Sequence, residues 1–273
     1  MRRWTVGALA VLGVIALGVG TGYAQRIFAG FYGYTPPRFP TVNSFQGSFT
    51  FCRAMFTSNR REKRGWDTDY PGADINFSIR LAELTRTRVT KQPTGTDPEY
   101  VVVRLTDPDL FQCPYVLMED AGTMLLSAEE VLRFREYLLK GGFVFSSDYW
   151  GPLAREQFDR EMGRVLPPTE YPIVDLPLDH PVWHQQFEVK EVPQMPSIQA
   201  WRRTGGQTDR GVDDPVDARA IVDQHGRVMV LMMHNTDIPD GWEREGEDPQ
   251  YFYRFSPDAY SVGINILIYA ATH

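Results

Sequence analysis

From Phe49 onward, short apolar runs alternate with longer amphipathic segments, and that alternation confines the chain to one fold class. Phe49 to Met55 (FTFCRAM), Tyr100 to Leu105 (YVVVRL), Tyr115 to Met118 and Phe143 to Ser146 have the length and composition of strands. Asp74 to Thr85 carries Phe77, Leu81 and Leu84 at helical spacing, and Val131, Phe134 and Leu138 repeat the pattern further on. Ser127 and Glu130 open that second helix as a capping box, the hydroxyl accepting from a free first-turn N–H while the glutamate reaches back. Gly141-Gly142 suits its left-handed end, and Phe158, Met162 and Val165 mark another helix. Strands separated by helices must cross over to pair, and so lie parallel. The expected fold is α/β: a mostly parallel central sheet with helices on both faces.

The later chain is less regular. Lys190 to Asp217, rich in Pro, Gly and Gln, reads as irregular, and Ala218 to Val222 with Val228 to Met233 reads as a hairpin around Asp223-Gln-His-Gly226. Ser256-Pro257 resembles a helix start, with Val262, Ile266 and Ala270 inward and Ser261, Asn265 and Thr272 on the other face.

Residues 1–24 read as a secretory leader: Arg2 and Arg3, an apolar run from Val6 to Val19, and Gly22-Tyr23-Ala24 where a peptidase would cut. The run is shorter than the roughly 20 residues that span a bilayer, so an uncleaved leader, the one route to membrane attachment, is the lesser reading. The expected location is the periplasm or another extracytoplasmic space. Residues 25–44, rich in aromatics and proline, cannot hold a helix and read as an extended arm; 45–273 is then one domain. Net charge is −7, or −9 without Arg2 and Arg3, and no basic cluster offsets it, which argues against nucleic acid and anionic lipid. Cys52 and Cys113 either pair across adjacent strands or stay as two buried thiols, and general cysteine burial favours the second.

Ligands of open parallel sheets bind beyond the carboxyl ends of the strands. The residues after each strand are Asp107; Glu119 and Asp120; Ser147, Asp148 and Tyr149; and His234 and Asn235. Asp148, between a strand and the tight Tyr149-Trp150-Gly151 passage, and His234 are the candidate catalytic pair, although a strand-end histidine is commonly structural. Candidate ligand-binding residues are Trp66, Asp67, Asp69 and Tyr70 in the first loop, Asp107, Asp120, Tyr149 and His180, and Asn235, Asp237 and Trp242 beyond the last strand. Asp74 reads as a helix cap. His180 and His184 have HxxxH spacing, but Pro181 and the absence of the HExxH glutamate make a zinc site a weak reading. No metal ligand set or cofactor is assigned, though so many carboxylates could take a divalent cation.

The segments FTFCRAMF, GWDTDYPGADINF, VVVRLTDPDLFQCPYVLMED, LSAEEVLRFREYLLKGGFVFSSD, LPLDHPVW, HNTDIPDGWE and AYSVGINILIYAATH, in order from Phe49 to His273, resemble the DUF4159 family of bacterial proteins, whose function is unknown. More distantly the order of elements is similar to the class I glutamine amidotransferase-like (flavodoxin-like) fold and its ThuA-like branch. That likeness implies a nucleophilic cysteine between Ser146 and Gly151, which this chain lacks, and has Pro-Glu where Asn235-Thr236 follows His234, so amidotransferase activity is not expected. The family resemblance also implies genes for MoxR-type ATPases and von Willebrand factor A-type proteins nearby. Three readings follow: an exported binding module for a small polar, carbohydrate-like ligand; a hydrolase, metal-assisted or not, using Asp120, Asp148 and His234; or an assembly partner of an envelope complex.

Overall fold

The computed structural model describes residues 35–60, 65–93, 95–210 and 215–273, and the compact unit Pro37–His273 is the subject below. The expected leader and residues 25–34 of the arm lie outside the described residues. Its strands are β1 (Phe51–Met55), β2 (Tyr100–Arg104), β3 (Tyr115–Glu119), β4 (Phe143–Ser147), β5 (Ile173–Asp175), β6 (Asp217–Val222) and β7 (Val228–His234). Its helices are α1 (Gly72–Leu84), α2 (Ala128–Leu139), α3 (Gly151–Val165), α4 (Ile198–Thr204), α5 (Asp240–Glu243) and α6 (Pro249–Thr272).

The strands form one sheet in the order β2-β1-β3-β4-β7-β6-β5, parallel from β2 to β7, with β6 and β5 antiparallel at the far edge. This is a flavodoxin-like arrangement, and β4 is its central strand. The chain winds outward to β2 from β1 and then the other way from β3, so right-handed crossovers put their helices on opposite faces. Accordingly α1 packs with α5 and α6, and α2 packs with α3. In open parallel sheets a reversal of winding such as that between β1 and β3 is where a crevice forms at the carboxyl ends of the strands.

Local signals survive where they are self-contained. Ser127 and Glu130 make both bonds of the capping box, and Glu130 also accepts from the Thr57 N–H at 2.8 Å, joining α2 to the segment after β1. Gly226, with φ 82°, turns the β6–β7 hairpin while Asp223 Oδ1 accepts from the His225 and Arg227 N–H groups.

Tertiary contacts overrule several expectations. Cys52 and Cys113 are disulfide-bonded, because β1 and β3 are sheet neighbours and bring their Cα atoms to 6.1 Å. Asp74 does not cap α1; it lies inside the first turn, fully buried, and pairs with Arg53. Leu84 is exposed at the helix end. The last helix starts at Pro249, capped by Asp248, and Pro257 sits within it. Asn265 is buried and not surface-facing, since its amide accepts from the Gln186 and Phe187 N–H groups and donates to the Trp183 and Phe187 carbonyls. The stretch 190–217 contains α4, capped by Ser197 and closed by Gly205 at φ 70°. The described end of the arm lies along the β2 edge: Val102 N–H donates to the Arg38 carbonyl at 2.8 Å, Arg38 pairs with Glu99, and Arg104 stacks on Phe39. Among the described residues no helix is long and apolar enough to cross a membrane.

Candidate functional site

Asp120, Asp148 and Asn235, which directly follow β3, β4 and β7, have φ of 50°, 52° and 56°, and Asp69 in the loop before α1 has 59°. Asp and Asn enter this left-handed region more readily than bulkier residues. Each turn swings the chain sharply over the sheet rim, and together they gather acidic side chains around the crevice.

Arg53 organises one wall. It projects from the middle of β1, is fully buried, and pairs with both Asp74 and Glu119. Its Nη1 also donates to the Trp66 and Thr68 carbonyls at 3.1 and 2.7 Å, which pins the loop bearing Asp69 against the strand ends. Arg210 organises the other wall: it donates to Asp148 Oδ1 at 3.2 Å and Asp237 Oδ2 at 2.6 Å and lies 4.3 Å over the Trp150 ring. Asp148 Oδ1 also accepts from Trp150 Nε1 at 3.0 Å, and the Asp148 side chain keeps 11% exposure at the mouth.

Between these walls, oxygens of Asp69, Glu119 and Asp237 lie within 4.8 Å of one another, and so do those of Asp69, Asp240 and Glu243. Both groups could hold a metal ion. Burial pushes the Asp69 and Asp237 carboxyls well above the usual range, and neighbouring carboxylates add to the effect. Burial raises Glu119 to about 8 against the pull of Arg53, Glu243 to about 7, and Asp120 and Asp240 each to about 6. Such a cluster can take protons, accept hydrogen bonds from hydroxyl or ammonium groups, or ligate a hard cation.

The residues anticipated from sequence separate into three groups. Asp237 lies near both Asp69 and Asp148 at the strand ends, and Asp120, paired to Arg60, is near Asp148. Asp67 accepts from the Gly65 N–H in its own loop. Asp107 accepts from the Arg104 N–H in a turn after the edge strand β2. The aromatic residues are core: Trp66 packs on Tyr70, Tyr149 on Phe158, and Trp242 on Phe77, all buried, so none offers a face for stacking. Trp150 is the partly exposed ring at the mouth.

His234 is fully buried; its Nε2 faces the Gly151 carbonyl at 3.0 Å and its Nδ1 faces Asp217 at 3.3 Å. The Asp217 carboxyl lies below its usual range, because the His234 hydrogen bond and the nearby Arg155 and Arg219 outweigh its burial. Asn235 is a fastener, accepting from the Gly151 N–H at 2.8 Å and donating to the Pro215 carbonyl at 3.0 Å. His180 is at the opposite end of the sheet: its ring packs on Tyr269, whose hydroxyl accepts from the Val228 N–H where β7 begins. Its Nδ1 accepts from the Val182 N–H, and His184 turns to Glu188 and the Leu178 carbonyl, so the two do not form a pair of metal ligands.

Sequence reading missed Arg53, Arg210 and Glu243 as parts of the site and noted Asp240 only as one of the residues crowding the loop after His234. Arg53 had a signal, a lone arginine within the apolar FTFCRAM strand, which only a buried counter-charge reconciles with burial. Arg210, in an irregular loop, had none.

Fold and site together define a flavodoxin-like α/β domain with an acidic crevice at its topological reversal and no cysteine at the turn after the central strand. The chain belongs to the DUF4159 family, a domain of unknown function, whose model matches residues 55–271. No curated protein matches it.

Proposed function

We propose that this protein is an exported cell-envelope binding domain whose strand-end crevice takes a small polar ligand of carbohydrate type. The observation that carries the reading is the convergence of Asp69, Asp148 and Asp237 on one crevice at the sheet reversal, with Asp148 and Trp150 at its mouth. Recognition then rests on ligand hydroxyls donating to carboxylates, since the other aromatic candidates are committed to the core. Export is supported by the leader-like sequence of residues 1–24 and by the disulfide, a bond that persists in oxidising compartments. Thermal-shift measurements against sugars and peptidoglycan fragments test the reading. A shift that disappears in Asp148→Asn supports it, and silence across the whole panel removes its basis.

A second reading is a metal-assisted hydrolase, favoured by the two carboxylate groupings. A divalent cation there would acidify a bound water. Asp120 and Asp148 are then the proton acceptors of this reading, because His234 could take part only by giving up Asp217 or the Gly151 carbonyl. Cation-dependent release of product from a chromogenic ester or glycoside panel, lost in Asp148→Asn, would favour it.

A further inference from the structure

We propose that Asp69, Glu119 and Asp237 form a divalent-cation site of the Ca²⁺ or Mn²⁺ class at the floor of this crevice. The inference deepens the binding reading and rests on it for the location of the site. The sharpest observation is one oxygen: Glu119 Oε1 is sealed from solvent and has no hydrogen-bond partner, and the whole Glu119 residue is fully buried, while the Asp69 carboxyl beside it meets that of Glu243. Buried polar atoms are nearly always satisfied, and an orphaned carboxylate oxygen leaves room for a bound water or cation as its partner.

The nearby arginines do not meet that need. Arg53 serves the other Glu119 oxygen, Asp74 and two carbonyls. Arg210 binds Asp148 and Asp237 Oδ2, and Arg244 contacts Glu243, Asp240 and Glu247. The charged neighbours that act most strongly on Asp69 are all carboxylates: Asp237, Glu119, Glu243 and Asp240.

Geometry and donor type set the cation. Three oxygens within 4.8 Å of one another share a centre no more than about 2.8 Å from each, which a small shift brings to the roughly 2.3–2.6 Å of Ca²⁺ without the near-ideal octahedron that Mg²⁺ demands. An all-oxygen set without imidazole or thiolate selects hard ions over Zn²⁺ or Cu²⁺. Such an ion draws on Asp237, so the Arg210 guanidinium competes with it for that carboxylate.

Calorimetric titration of chelator-treated protein with Ca²⁺, Mn²⁺, Mg²⁺ and Zn²⁺, alongside thermal shift, tests the assignment. One equivalent of Ca²⁺ or Mn²⁺ is expected to bind and raise Tm. Asp69→Asn, which keeps a residue tolerant of positive φ, should weaken binding at least tenfold while retaining the apo fold. Arg210→Gln, which removes the competitor, should tighten binding several-fold. The proposal falls if neither Ca²⁺ nor Mn²⁺ binds by about 10 mM, some ten times the weakest extracellular Ca²⁺ sites. It falls equally if Zn²⁺ alone binds, or if Asp69→Asn binds as the parent does. Repeating the sugar panel with and without cation separates the two readings: ligand response without any cation binding sinks this inference alone, and cation binding without ligand response sinks the carbohydrate reading alone.

Discussion

Replacing both Cys52 and Cys113 by alanine is expected to cost about 4 kcal/mol of stability. The bond closes a loop with a sequence separation of 61 residues. The loop-closure relation for a chain of that length gives about 14 cal/mol/K of unfolded-state entropy, or about 4 kcal/mol at room temperature. Both cysteines are almost fully buried, so lost packing adds to the effect. For a domain of this size each kcal/mol shifts Tm by about 2–4 °C, so melting should fall by roughly 8–16 °C. Urea unfolding of parent and double variant, followed by tryptophan fluorescence, measures the difference directly. The m-value should rise too, because the uncrosslinked chain exposes more surface when it unfolds. A loss below about 1.5 kcal/mol with an unchanged m-value would refute the reasoning, since β1 and β3 would then be held as firmly without the covalent link.

Asp148→Asn should fold with a loss of about 1 kcal/mol, because asparagine tolerates the left-handed turn and keeps an acceptor for Trp150 Nε1. Its ligand response should vanish; a large drop in Tm with response retained would make Asp148 purely structural. Arg53→Met should cost about 3–5 kcal/mol by leaving Asp74 and Glu119 buried without their cation, and chemical denaturation showing less than about 1 kcal/mol would contradict that. The raised carboxyls of Glu119 (about 8), Glu243 (about 7), Asp120 and Asp240 (each about 6) favour the protonated folded state. Their stabilisation is complete below their unfolded values near pH 4 and is lost as pH rises through 6 to 8. Tm of cation-free protein should therefore fall between pH 5 and pH 8.5, and a flat or rising profile would oppose the burial of these groups.

The local elements and the class of fold were legible along the chain, because periodicity, caps and turn residues act over a few positions. The Ser127–Glu130 box, the Gly226 hairpin and the inward faces of α2 and α3 all follow from neighbours in the chain. The sequence also showed where to look, since residues after parallel strands must meet at one rim; Asp148 and Asp237 were legible for that reason. What those residues do to one another was decided only by the tertiary structure. Glu119 meets Arg53 across 66 residues, Asp148 meets Arg210 across 62, and Cys52 meets Cys113 across 61. None of these pairs leaves a periodic trace, because each depends on strand order and loop path. The same distinction explains the aromatic residues: Trp66, Tyr149 and Trp242 occupy crevice positions in the chain, yet burial of large apolar area draws them into the core. His234 follows the same logic, for whether a strand-end imidazole meets solvent or an acceptor depends on the packing of α3 and the start of β6, which no local pattern encodes.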